Sequence, residues 1–167
     1  EDEKNEMVPY TDCKALGNGW VWNVPLRSRL GSGYVYSSKF IDQENALSEF
    51  KNHLTSVYGN QRIQNNEFRH IPYKTGRQSN SWVQNCIALP LSFGFIEPLE
   101  STGLALTVVC IETFIESLQR NNNNVTSLEQ QIYNRKINKV YDETIEFVAL
   151  HYIGTNRDDT EYWNFWK

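Results

Sequence analysis

The run Phe95-Ile-Glu-Pro-Leu-Glu-Ser-Thr-Gly103 constrains this chain more than any other part of it. It separates an apolar stretch, Cys86 to Phe95, from a run with apolar residues at helical spacing. Two acids, Glu97 and Glu100, flank a rigid proline. Ser101 and Thr102 are good helix N-caps, because a side-chain oxygen there accepts an orphan backbone N–H. Gly103 lets another group approach the backbone closely. The expected product is a carboxylate beside a helix N-terminus. Unpaired N–H groups and the helix dipole make such a place favourable for an anion. An acid beside an anion pocket suits chemistry in which a base and a small anion cooperate.

Elements on both sides of this junction mix strands and helices, an α+β pattern. Residues 1–18 read as an irregular lead-in. Trp20 to Leu26 reads as a strand, Arg27 to Gly33 as a turn, and Tyr34 to Ser38 as the return strand of a hairpin. Asp42 to Tyr58 is helical, with Ala46, Leu47, Phe50, Leu54 and Val57 on one side, and Gly59 ends it. Phe68 to Lys74 reads as a short strand broken by Pro72. Trp82 to Leu89 fits a helix or a buried strand equally well. After the junction, Leu104, Val108, Ile111, Phe114, Ile115 and Leu118 mark a helix ending at Arg120. Asn121 to Asn124 form a loop, because Asn tolerates turn conformations. A longer helix spans about Ser127 to Tyr152, with Tyr133, Ile137, Val140, Tyr141, Ile145, Val148 and Tyr152 as its stripe. The tail holds Tyr162, Trp163, Phe165 and Trp166.

Bulk properties exclude several functions. The chain has 167 residues, 40 % apolar, enough for one packed domain. A net charge of −4, a pI near 5.4 and no basic run argue against nucleic acid. The apolar stretches read as too short for a membrane span. No signal peptide opens Glu1 to Glu6, so the cytoplasm is the expected compartment. Cys13, Cys86 and Cys110 make no metal pattern and are expected as reduced, mostly buried thiols. His53 and His70 lack metal-ligand spacing, so no metal site is expected. There is no Ser-His-Asp pattern and no dinucleotide loop; Gly31-Ser-Gly33 lacks the third glycine. The sequon Asn124-Val-Thr126 is discounted, because nothing suggests secretion.

The pattern Phe95-x-x-Pro98-x-x-Ser101-x-Gly103 closely resembles a signature of flavin-dependent halogenases, and Glu97 to Gly103 resembles the tryptophan-halogenase branch. Gly19-Trp-Val-Trp-Asn-Val-Pro25 resembles that family's Trp-x-Trp-x-Ile-Pro element. Trp82-Val-Gln-Asn-Cys86 resembles the Trp-x-x-Asn-Cys stretch that precedes the signature. Val8-Pro-Tyr-Thr11 and Arg157-Asp-Asp-Thr160 followed by Trp163 also fit, all in family order. The resemblance implies that residues 1–167 are the C-terminal substrate and halide region of a flavin-monooxygenase-like halogenase. The dinucleotide loop and the essential lysine would then lie in a mostly absent FAD domain, and the chain alone would be inactive.

The implied activity is FADH2- and O2-dependent chlorination or bromination of tryptophan or another indole through hypohalous acid. A separate, transiently bound flavin reductase would supply the reduced FAD, and a homodimer is left open. From the residues alone, Glu100 is a helix-dipole partner. By resemblance it lies at the substrate ring, where a carboxylate stabilises the cationic intermediate and helps remove the ring proton. Thr102 and Gly103 would bind halide through their amides. Leu91 and Leu104 would touch the flavin. Trp20 and Trp22, on one side of a strand, and Ser101 would line the tunnel between flavin and substrate.

In tryptophan-specific relatives two adjacent tyrosines and a nearby Glu hold the amino-acid end of the substrate. Here His151, Tyr152 and Asp158 stand in those places, and both changes weaken the fit to free tryptophan. Tyr162 and Trp163 resemble an aromatic pair able to sandwich a flat ring. By itself, His151 reads equally well as a cap on a helix C-terminus. The rival readings are a related flavin monooxygenase, which the two-tryptophan element and Ser-Thr-Gly argue against, and a non-catalytic fragment.

Overall fold

The computed structural model describes residues 8–120 and 122–167. The opening Glu1 to Glu6 and Asn121 of the asparagine loop lie outside the described residues. The chain divides into two compact units, residues 1–70 with 155–167, and residues 71–154.

The first unit is built on a three-stranded antiparallel sheet of β1 (Asp12–Ala15), β2 (Gly19–Pro25) and β3 (Leu30–Tyr36). The expected hairpin is β2–β3, in register Trp20 opposite Val35 and Trp22 opposite Gly33. The lead-in is therefore not wholly irregular. Lys14 and Ala15 pair with Val21 and Trp20, extending the sheet by a strand too short to show periodicity. Helix α1 (Gln43–Tyr58) is capped by Asp42, whose carboxylate accepts the Asn45 N–H at 2.9 Å. It buries Ala46, Phe50 and Leu54, and Val21, Phe50, Leu54 and Ile63 form the core. Val57, expected on the buried side, is exposed near the helix end. A single turn, α2 (Asn60–Ile63), follows Gly59.

Glu49 ties this unit together. Its carboxylate accepts the Gly17 N–H at 2.7 Å and the Tyr34 hydroxyl at 2.7 Å. Burial and that bond push the Tyr34 phenol well above its ordinary range.

The second unit hangs small hairpins on two helices, α3 (Thr102–Arg120) and α4 (Ser127–Ile153). Strand β4 (Gly76–Arg77) pairs with β7 (Gly94–Phe95), and β5 (Trp82–Val83) with β6 (Cys86–Ile87). The ambiguous Trp82–Leu89 segment is thus a tight two-strand hairpin. Buried Asn134 of α4 clamps it, accepting the N–H groups of Ser81 and Trp82 at 2.9 and 2.7 Å and donating to the Trp82 carbonyl at 2.8 Å. The strand expected at Phe68–Lys74 does not form. Pro72 lacks an N–H, and Ile71 and Tyr73 are left exposed.

Two further expectations fail here. Helix α3 buries Leu106, Cys110, Thr113 and Ser117 rather than the predicted stripe. Leu104, Val108, Ile111 and Ile115 face outward, so its wider apolar side lies uncovered by this chain. The span Leu99–Arg120 is also long and apolar enough by composition to cross a membrane, contrary to the sequence reading. The thiols differ too: Cys110 is buried, but Cys13 and Cys86 are exposed. Helix α4 follows its expected stripe, burying Tyr133, Ile137, Tyr141, Val148 and Tyr152, with Ile145 turned out. Thr126 caps it, accepting the Glu129 N–H at 3.2 Å.

Candidate functional site

The junction singled out in the sequence is a bent, strained turn. Leu99–Ser101 makes a single 3-10 turn that starts from Pro98 without a side-chain cap and runs straight into α3. The hydroxyl cap expected at Ser101 or Thr102 therefore does not open this helix. Glu100 and Ser101 instead take left-handed backbone angles, φ 61° and 53°. Each such non-glycine residue costs on the order of 1 kcal/mol, and such strain gathers at functional sites. Ile96 and Leu99, both buried, hold the turn on either side. With Leu99 anchored inward, the Glu100 side chain stands at the surface, about half exposed.

The two acids end in different surroundings. The Tyr152 hydroxyl lies 2.8 Å from both carboxylate oxygens of Glu97 and donates to them. Burial pushes the Glu97 carboxyl above the ordinary glutamate range; the Tyr152 bond and the charge of nearby His151 pull it back. Glu100 meets His151 instead, Nε2 to Oε1 at 3.2 Å. The other imidazole nitrogen, Nδ1, lies 3.0 Å from the Phe147 carbonyl one turn back on α4. The Phe147 ring packs edge-on to the imidazole, with centroids 5.1 Å apart. So the end of α4 presents His151 and Tyr152 to Glu100 and Glu97, one each. Sequence reasoning named all four residues but not this pairing, which spans some fifty residues and leaves no periodic trace.

The residues around the turn are open. An added Cβ on Gly103 would meet nothing within 4 Å, and its backbone is not left-handed, so packing within this chain does not demand glycine there. What it leaves is room beside the first turn of α3. Leu91 and Leu104 are each 80 % exposed, and Leu91 sits at φ 79° in a loop that Gly94 closes by accepting its N–H at 3.0 Å. Neither is part of a core within this chain. Among the described residues no group of three or more His, Cys, Asp or Glu side chains could hold a metal.

The remaining candidates belong to the other unit. Trp20 is buried, and Trp22 lies flat over β3, where a Cβ on Gly33 would come within 2.4 Å of its indole. Gly33 thus makes room for the Trp22 indole, whereas a Cβ on Gly31 would meet that ring only at 3.6 Å, an ordinary contact. Asp158 is exposed, 3.5 Å from Lys167 Nζ, and its carbonyl accepts the Asn164 amide at 3.0 Å. Tyr162 and Trp163 lie on the short helix α5 (Glu161–Asn164), whose N-cap is Thr160. Both are buried, edge to face at 4.9 Å, and the Trp163 indole N–H donates to the Leu16 carbonyl at 2.6 Å. Buried and edge to face, they do not form within this unit the open sandwich for a flat ring that the sequence suggested.

Comparison with known proteins places the chain. All of it, residues 1–167, matches the tryptophan halogenase family. It is 35 % identical over its whole length to the tryptophan 7-halogenase KtzQ of Kutzneria sp. (strain 744), covering 30 % of that protein. The VirX1 apo structure matches 97 % of the chain at TM-score 0.89 and 41 % identity, again over 30 % of its own length. The tryptophan 6-halogenase SttH from Streptomyces toxytricini matches 95 % of the chain at TM-score 0.84 and 36 % identity, over 30 % of its length. The chain therefore spans about 30 % of the length of the relatives it matches. Flavin-dependent halogenases are enzymes of this family. With a match across all its residues and solved relatives of the same fold, the chain belongs to the tryptophan halogenase family.

Proposed function

We propose that this chain supplies the substrate and halide side of a flavin-dependent halogenase acting on tryptophan or another electron-rich indole. The observation that carries the reading is Glu100. Its half-exposed carboxylate is held by a strained turn at the head of α3, beside the open backbone of Gly103. A carboxylate so placed suits electrophilic substitution, in which the ring gains positive charge and must then lose a proton. Thr102 and Gly103 are the proposed halide contacts, through first-turn amides. Ser101, Trp20 and Trp22 are the proposed tunnel residues.

The exposed side chains of Leu91 and Leu104 suit contact with the edge of a flat, largely apolar flavin ring. Gly33, in the glycine pair nearest to a dinucleotide loop, is taken up by the Trp22 indole and does not suit the pyrophosphate. Bound FAD, reduced by a separate reductase, would supply the electrons that activate O2, which is the oxidant of chloride or bromide to hypohalous acid. His151, Tyr152, Asp158, Tyr162 and Trp163 are the proposed determinants of substrate choice. The Tyr152 hydroxyl is engaged by Glu97 and His151 by Glu100, so a substrate's polar end would compete with these contacts.

The test uses the full-length protein with FAD, a flavin reductase, NADH, O2 and bromide, offered tryptophan, simple indoles and phenols. A bromine isotope doublet in the product mass is expected for an indole. Glu100→Gln should lower its rate about 10²–10⁴-fold, the range of a direct acid or base. A product heavier by oxygen alone would point to a monooxygenase.

A further inference from the structure

The contact between His151 and Glu100 has room for one proton. A carbonyl only accepts, so Nδ1 of His151, 3.0 Å from the Phe147 oxygen, carries a hydrogen. The neutral ring then offers Glu100 a lone pair at Nε2, across 3.2 Å from another lone pair on Oε1. That contact is a hydrogen bond only when a single proton lies between the two atoms.

We propose that His151 is a positioning residue for Glu100 and the next acceptor of the proton that Glu100 removes. The inference rests on the halogenation reading above. The electrophile is the halogen of hypohalous acid. A ring carbon bonds to it as the oxygen–halogen bond breaks, the oxygen leaving with that bond's electron pair as hydroxide, which takes a proton to become water. The C–H bond on that carbon then breaks, returning its electron pair to the ring. The proton passes to Oε1 of Glu100, from there to Nε2 of His151, and on to water, since both side chains are partly exposed. The other ionisable groups near the pair, among the described residues, are Glu97 and Tyr152, whose hydroxyl is held on Glu97. Glu97 is thereby kept off the path.

Two measurements on the full-length protein test this. The first needs no turnover: ¹⁵N spectra of labelled histidine, with His151→Gln used to assign the signal. A neutral His151 protonated at Nδ1, whose Nε2 resonance moves in Glu100→Gln, is expected. A ring protonated at Nε2, or a resonance indifferent to Glu100→Gln, overturns the proposal. The second is the rate of bromination by His151→Gln. Gln at 151 can donate to Glu100 but cannot take a proton. The rate should fall about tenfold, less than for loss of a direct base. An unchanged rate would remove the relay and leave the halogenase reading standing. If the wild-type protein halogenates nothing while the ¹⁵N coupling is present, the reaction itself is wrong, and the relay falls with it.

Discussion

At single residues, chemistry follows surroundings rather than identity. Glu97 and Glu100 are three positions apart, yet burial lifts one carboxyl and leaves the other facing out. A carboxyl whose folded pKa is raised contributes stability fully present below its unfolded pKa and lost as pH rises through its folded value. The protein should therefore lose stability as pH climbs from the ordinary glutamate range to the raised one. Glu97→Gln removes that titration, and thermal melts across this window should show a flatter slope than wild type. Gly33 makes the opposite kind of demand. Gly33→Ala would press a methyl into the Trp22 indole, and an overpacked site of this kind costs about 1–3 kcal/mol. Denaturant unfolding should register that loss, with a shifted tryptophan emission.

Among the elements, the long helix α4 organises its unit. Its Asn134 side chain makes three hydrogen bonds to the β5 edge, all buried. Asn134→Ala would leave two N–H groups and a carbonyl without partners. A loss of about 3 kcal/mol or more is expected from urea unfolding, because each stranded buried group costs about 1–3 kcal/mol. The helical run of α4 was legible in its periodic apolar residues; the role of Asn134 was not. A polar residue within such a stripe looks like a gap until the hairpin it satisfies is seen. For α3 the periodicity found the helix but chose the wrong buried side. Small residues, Cys110, Thr113 and Ser117, go inward because α4 packs closely there, with Tyr133 donating to the Cys110 carbonyl.

At the scale of the molecule, this chain spans about 30 % of the length of its relatives and leaves the stripe Leu104, Val108, Ile111 and Ile115 uncovered. Ile111 is already exposed here, where a surface substitution changes stability by only about 0.5 kcal/mol. In the full-length protein we expect Ile111→Asp to lower both stability and retained flavin, because a buried unpaired carboxylate is strongly unfavourable. Thermal melting with flavin absorbance checks this, and a silent variant would mean that the stripe faces solvent.

The sequence by itself determined the family, the two long helices, the β2–β3 hairpin and the place of two acids just before α3. Those features are local: spacing, caps and short ordered motifs repeat within a few residues. The tertiary structure alone decided which side of α3 is covered, that Gly33 yields to Trp22, and that His151 pairs with Glu100 and Tyr152 with Glu97. Each of these joins residues distant in the chain, and only packing sets which polar groups must find one another once water is excluded.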